Sequence, residues 1–150
     1  MDLRDAARPA AEVIAALALR PHPEGGYFRE TWRDVAADGG RGVGTAILFL
    51  LAAGQTSHWH RIDADELWIW NAGGPLRLDL SADAKAVRAH RLGPDLRARE
   101  SLHLRVPRTV WQSATPLAAW SLVTCTVAPA FRFEGFELAP PGWRPGLRAD

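Results

Sequence analysis

Short segments of strand length, separated by turn residues about every ten positions, constrain the fold of this chain more than any other feature. They occur at 27–32, 45–51, 57–60, 66–70, 76–80, 86–91, 101–106, 110–114 and 119–127. Such spacing is typical of an all-β sandwich or barrel. Only residues 9–20 have helical periodicity, with Pro9 suited to a first turn and Pro21 ending the helix. The sequence therefore predicts one N-terminal helix followed by an all-β fold.

We expect one domain over residues 1–150, because this length suffices for one hydrophobic core and no linker or repeat divides it. The 18 basic and 17 acidic residues are spread along the chain and give a formal charge of +1, which argues against a nucleic-acid or anionic-membrane surface. The longest apolar stretch, 46–53, is too short to span a bilayer. Residues 1–5 lack the layout of a signal peptide, so we expect a cytoplasmic protein. The single cysteine, Cys125, excludes a disulfide or a cysteine-based zinc cluster and is predicted to be a buried thiol.

Two histidines and a glutamate form the segment with the most chemical information. Residues two apart in a strand share a face, so His58 and His60 are expected to point the same way. If 57–60 and 66–70 pair as a hairpin, both imidazoles and the Glu66 carboxylate converge, a set that suits a divalent first-row metal. Two nearby histidines are equally consistent with ordinary polar residues, so both interpretations stay open.

Aromatic residues surround this segment in the sequence. Trp68 and Trp70 share the predicted face of Glu66, and together they could form a wall for a planar or sugar ligand. Burial against them would raise the pKa of Glu66 and suit it to proton transfer.

Polar residues of the first strand supply further candidates. Arg29 could clamp a carboxylate or phosphate of a ligand, and Glu30 is either a ligand-binding group or the structural partner of Arg29. Tyr27, the only tyrosine, is a candidate acid or hydrogen-bond donor, although packing is an equal alternative. His22 lies between two prolines, where a role in stabilising a turn is expected.

Gly54, His58-x-His60, Glu66 and Gly73 resemble the first motif of the cupin superfamily. The second motif is only partly present, because Thr109 stands where the family has glycine and Gln112 where it has a third histidine. The resemblance implies a site of His58, His60, Glu66 and Gln112 for one divalent ion of zinc, nickel, manganese or iron. An amide oxygen is a weak ligand for such ions, so Gln112 could instead offer its amide to a polar ligand in a metal-free pocket.

Longer runs are similar to the cupin-5 (DUF985) family. They are 22–31, 59–61 with 65–68, 106–107 with 111–112, and 127–131 with 136–137. This resemblance implies a double-stranded β-helix, the jelly-roll barrel that the family shares with sugar-nucleotide epimerases.

The barrel interior is therefore expected to bind a small polar metabolite. One hypothesis is an enzyme, either metal-assisted or a metal-free isomerase or epimerase in which His60 takes a proton and Tyr27 or Glu66 supplies one. The alternative is a non-catalytic metabolite-binding cupin without a metal. Cupins commonly form pairs, so we also expect a homodimer through 27–32 and the Pro-rich tail 140–146, which is predicted to wrap the barrel or a partner.

Overall fold

The computed structural model describes residues 1–147. In chain order the elements are α1 (Ala10–Ala16), β1 (Arg20–Pro21), β2 (Tyr27–Val35), β3 (Arg41–Ala52), β4 (Ser57–Ile62), β5 (Asp65–Gly73), β6 (Leu76–Ser81), β7 (Arg88–Leu92), β8 (His103–Val106), β9 (Trp111–Pro116), β10 (Trp120–Ala128), a 3-10 helix (Phe133–Gly135) and β11 (Phe136–Leu138).

The strands form two antiparallel sheets. The first has six strands in the order β1-β2-β3-β10-β5-β8, and the second has five in the order β11-β4-β9-β6-β7. Strands that follow each other along the chain thus alternate between sheets at several points, as in a jelly-roll barrel. The predicted all-β fold with one N-terminal helix is confirmed.

The main core fills the space between the two sheets. Phe49, Trp68, Leu78 and Val123 are among its buried side chains. A second cluster lies on the outer face of the six-stranded sheet, where Val13 of α1 packs with buried residues of the strands. Because β3 is covered on both faces, its sequence is a continuous apolar run instead of an alternating one.

Some predicted boundaries are wrong. The helix ends at Ala16 and not at residue 20, because the backbone reverses at Ala18, where φ is 51°, and β1 begins two residues later.

The segments 57–60 and 66–70 do not pair as a hairpin. β4 pairs with β9 and β11, whereas β5 pairs with β10 and β8 in the opposite sheet.

The C-terminal tail packs against the outside of the five-stranded sheet. The Trp143 ring centroid lies 4.6 Å from that of Trp111 and 6.2 Å from that of Trp59. Of the two predicted alternatives, the described part of the tail therefore follows the barrel of its own chain. The homodimer stays a prediction. Within residues 1–147, no helix is long and apolar enough to cross a membrane.

Candidate functional site

An irregularity in β4 directs the side chains of His58 and His60 to different surroundings, although the sequence pattern predicts that they share one face. Ser57 pairs with Ala114 and His60 with Gln112, so three steps along β4 match two along β9. The extra residue changes the alternation, as a β-bulge does. His60 consequently lies in the interior and is 2% exposed, whereas His58 Nε2 lies 3.0 Å from the carbonyl oxygen of Pro140 in the tail. The expectation that both imidazoles share one face is wrong.

Gln112 is the central residue of a buried hydrogen-bonded chain. The Trp68 indole N–H donates to Gln112 Oε1 at 2.8 Å, and Gln112 Nε2 donates to Glu66 Oε2 at 2.7 Å. An indole nitrogen can only donate, so it fixes the orientation of the amide and turns the NH2 group toward the carboxyl. Gln112, at the position of the third histidine in the cupin superfamily motif, therefore positions Glu66.

His60 meets a second buried carboxyl, that of Glu24. Its Nε2 lies 3.2 Å from Glu24 Oε2, and Glu24 Oε1 accepts a hydrogen bond of 2.7 Å from the Ser57 hydroxyl. Glu24 is brought inward by a tight turn in which Gly25 has a φ of +106°, and a Cβ there would collide with the carbonyl oxygen of Thr56. The glycine is required for the carboxyl to reach the interior.

The hydrogen bonds of His60 determine where its proton lies. Nδ1 is 2.8 Å from the His58 carbonyl oxygen, which can only accept, so Nδ1 carries a hydrogen. In a neutral ring Nε2 is then bare and faces Glu24 Oε2. Two lone pairs at this distance repel, so a proton on one of the two groups is favoured. The pair is either imidazolium with carboxylate or imidazole with carboxylic acid.

Burial acts on all four ionisable side chains of this cluster. It raises the pKa of Glu66 to about 7 and raises the pKa of Glu24 above its usual range. It also lowers the pKa values of His60 and His22. Desolvation penalises the charged form of each group, which explains the opposite directions for acids and bases. The expected upward shift for Glu66 agrees with this direction.

A cavity of about 70 Å³ opens beside this cluster, between β2, β3 and β10 and the segment around the 3-10 helix. Glu66, His22 and Cys125 line it together with Phe28, Thr45, Ile47 and Val127, and Glu30, Arg33, Phe131 and Phe133 complete its lining. One water needs about 10–15 Å³ on this measure, so the cavity suits a ligand of only a few non-hydrogen atoms.

His22 contributes a defined hydrogen-bond donor to this cavity. Its Nδ1 accepts a hydrogen bond of 3.2 Å from the backbone N–H of Glu24, so the hydrogen of the neutral ring is on Nε2. The ring packs edge-on against Phe28, with centroids 4.6 Å apart. His22 therefore both stabilises the turn, as expected, and borders the cavity.

Several sequence candidates lie away from the cavity. Tyr27 and Arg29 pair with Leu50 and Leu48, and Tyr27 packs in the cluster on the helix side of the sheet, so neither faces the interior. Trp70 packs against the main core and donates its N–H to the Gly74 carbonyl oxygen at 3.1 Å, so it forms no wall of the cavity.

Glu30 is paired with Arg33 and not with Arg29. Arg33 Nε and Nη2 donate to the two carboxylate oxygens of Glu30 at 2.7 and 2.8 Å, and Nη1 donates to the Phe131 carbonyl oxygen at 2.8 Å. The charges of this pair compensate each other at the edge of the cavity.

The proposed metal ligands do not fit a metal ion in this arrangement. His58 points to the tail, Gln112 Oε1 already accepts the indole hydrogen of Trp68, and His60 Nε2 faces Glu24. In residues 1–147, no group of three or more His, Cys, Asp or Glu side chains is placed to hold a metal ion. The donor atoms of the predicted site are thus engaged with the protein itself.

Comparison with known families agrees with the jelly-roll architecture. Residues 11–139 match the profile described as the cupin superfamily (DUF985), named Cupin_5. This match covers well over half of the chain. The chain belongs to the Cupin_5 family. The resemblance seen in the sequence is therefore confirmed.

Several solved structures are similar to this chain. A hypothetical protein from Leishmania major is 30% identical with a TM-score of 0.80, and the alignment covers 91% of this chain and 90% of that one. A protein from Shewanella oneidensis is 36% identical with a TM-score of 0.83, covering 88% and 85%. KdgF from a Halomonas species shares the fold at 15% identity and a TM-score of 0.57, covering 77% of this chain and 90% of that one. A comparison with curated proteins gave no match.

Sequence reasoning missed Glu24 as a site residue and limited His22 to a turn. Both belong to the 22–31 run that carries the Cupin_5 resemblance. A polar pair next to two consecutive glycines is a signal that the backbone approaches something closely. That signal could have assigned these residues to the interior.

Proposed function

We propose that this Cupin_5 protein binds a small, uncharged polar molecule in its cavity and that Glu66 exchanges a proton with it. The observation that carries this proposal is the placement of Glu66 at the cavity with a pKa of about 7, held by the Gln112 amide. A group that titrates near neutral pH can both take and return a proton at the operating pH.

The charges around the cavity favour a neutral ligand. The one guanidinium in the cavity lining is that of Arg33. It donates hydrogen bonds to Glu30 and to a backbone carbonyl oxygen. The other ionisable groups in the lining are Glu66, a neutral histidine and a buried thiol. An anion would meet no free cation here, and a carboxylate ligand would be repelled whenever Glu66 is ionised.

A keto–enol isomerisation is the reaction that these groups suit best. The Glu66 carboxylate would take a proton from a carbon next to a carbonyl, and the C–H electron pair would form the enolate double bond. The His22 Nε2–H would donate to the developing oxyanion. Return of the proton from Glu66 to the other face of the same carbon completes an epimerisation. In an α-hydroxy ketone, the hydroxyl proton passes to the oxyanion of the enediolate, the proton on Glu66 returns to the former carbonyl carbon, and the new carbonyl forms at the first carbon, which completes an isomerisation.

This assignment differs from the role predicted for His60 from the sequence. Both ring nitrogens of His60 are engaged, Nδ1 with the His58 carbonyl and Nε2 with Glu24, and the ring does not line the cavity. His60 would instead share a proton with the carboxyl of Glu24. In this proposal the base is Glu66, while Tyr27 takes no part.

Deuterium exchange tests the proposal. Hydroxyacetone and dihydroxyacetone are incubated with the protein in D2O, and loss of their C–H signals is followed by proton NMR. We expect exchange faster than in buffer that Glu66→Gln abolishes and that Glu134→Gln, an exposed variant near the cavity edge, leaves unchanged. Binding of either ketone with no exchange above buffer would favour the non-catalytic alternative. Exchange that persists in Glu66→Gln would refute the role of Glu66.

A further inference from the structure

A second cleft is bordered by β6, β7 and the loops that follow β6 and β8, and it shares no lining residue with the cavity of Glu66. Its volume is about 460 Å³, within the range of small-molecule sites. The walls combine apolar groups with a few polar ones: Leu80, Ala82, Asp83, Ala86, Arg88, His90, Pro107 and Val110.

Strand pairing explains why two basic side chains enter this cleft. Arg88 pairs with Leu80 and His90 with Leu78, so these β7 residues share the face of β6 residues that pack into the core. Arg91, next along β7, pairs with Arg77 and lies on the outer face. The cleft is therefore bordered by one arginine and one histidine, directed toward the barrel interior.

Neither of these basic groups is satisfied by the protein. His90 Nδ1 is buried and has no hydrogen-bond partner within residues 1–147. Buried polar atoms are nearly always paired, so such an atom points to a missing partner. The Arg88 guanidinium likewise makes no hydrogen bond or ion pair in the described part of the chain, and it is exposed at the rim.

The acidic residue of the cleft is already engaged. Asp83 Oδ1 accepts hydrogen bonds from the backbone N–H groups of Lys85 and Ala86, at 2.8 and 2.9 Å. These donors turn the carboxylate toward its own loop. Arg88 is thus left available for an anion from solution.

We propose that this cleft binds a small organic anion, a carboxylate attached to an apolar body. Arg88 presents a planar fork of donors that matches a carboxylate. His90 lines the cleft beside Arg88, and Leu80, Pro107 and Val110 form an apolar wall for the remainder of the ligand. The site is independent of proton transfer at Glu66.

Benzoate is the test ligand, and benzamide is its uncharged counterpart. Benzoate is titrated by isothermal calorimetry into the wild type, Arg88→Gln and Arg91→Gln, and the side-chain nitrogen resonances of His90 are followed by 15N NMR. We expect saturable binding of benzoate that moves the His90 nitrogen signals. Arg88→Gln should weaken it by about tenfold or more, and benzamide should bind more weakly by a similar factor.

The matched variant Arg91→Gln removes the same charge from the outer face of β7 and should leave benzoate binding within about twofold. Melting temperatures of both variants verify folding. Equal weakening in both variants would show a general charge effect and overturn the site. No saturable binding, equal affinity for benzamide, or saturation without any change at His90 would also overturn it.

Discussion

Replacement of Glu66 by glutamine isolates the electrostatic cost of a buried carboxylate. Glutamine has nearly the same shape and retains an oxygen that can accept the hydrogen bond from Gln112 Nε2, which is 2.7 Å in the wild type. It cannot ionise. The difference between the two proteins therefore reports the protonation of Glu66 and little else.

The sign and size of the effect follow from the pKa of Glu66. That pKa is about 7 in the folded protein against the ordinary 4.5, so between these values the folded state binds more protons than the unfolded state. The free energy of unfolding must then fall as the pH rises. The full loss is about 3 kcal/mol and is complete above pH 7.

Urea unfolding at constant ionic strength, from pH 5 to pH 8.5, measures this loss. His22 and His60 titrate with the opposite slope, because their lowered pKa values remove stability as the pH falls. Both proteins contain these histidines, so the subtraction removes most of their contribution. We expect Glu66→Gln to gain about 2–3 kcal/mol relative to the wild type across this range.

Glu134→Gln is the control, because Glu134 is exposed and makes no side-chain hydrogen bond or ion pair within residues 1–147. Its curve should run parallel to that of the wild type. If the Glu66→Gln curve is also parallel to the wild type, Glu66 is ionised in the folded protein throughout. That result would remove the basis for its role as a base near neutral pH.

Two further substitutions examine the supports of the site. Gln112→Ala leaves the Trp68 indole N–H and a Glu66 oxygen without partners and opens a space in the core, so urea unfolding should show a loss of about 2–5 kcal/mol. A loss under about 0.5 kcal/mol would contradict the buried chain of hydrogen bonds. Trp143→Ala removes the ring packed at 4.6 Å from Trp111 and should lower the free energy of unfolding by about 1–3 kcal/mol, with a change in tryptophan fluorescence. Unchanged stability would mean that the tail does not pack on the barrel in solution.

The fold was predictable because its signals are repeated along the chain. Nine strand-like segments, turn residues between them and family motifs distributed along the chain all indicate one architecture. The segment 45–51 lies within β3, as its strand-like length predicted, and its continuous apolar run reflects cover on both faces of the sheet. The helix end was harder, because the reversal at Ala18 depends on a positive φ in a residue that rarely adopts it.

The site was only partly predictable because strand alternation assumes regular pairing. His60, Glu66, Trp68 and Gln112 are all buried, and Gln112 pairs with His60 across the strands and hydrogen-bonds to Trp68 and Glu66. His58 was misplaced because the irregularity in β4 is visible only in the register with β9. Tyr27 and Arg29 were misplaced because both faces of the six-stranded sheet are covered, so alternation alone does not identify the inner face.

The extra residue in β4 also has a consequence for how this segment tolerates change. Ser57 and His60 are three positions apart, and both contact the carboxyl of Glu24. The residues of β4 that act together are therefore Ser57 and His60, and not the two histidines. Loss of one residue between Ser57 and His60 would restore regular pairing with β9 and rotate the imidazole away from Glu24. Glu24 and His60 would then no longer share a proton, although His60, Glu66 and Gln112 would all still be present in the sequence.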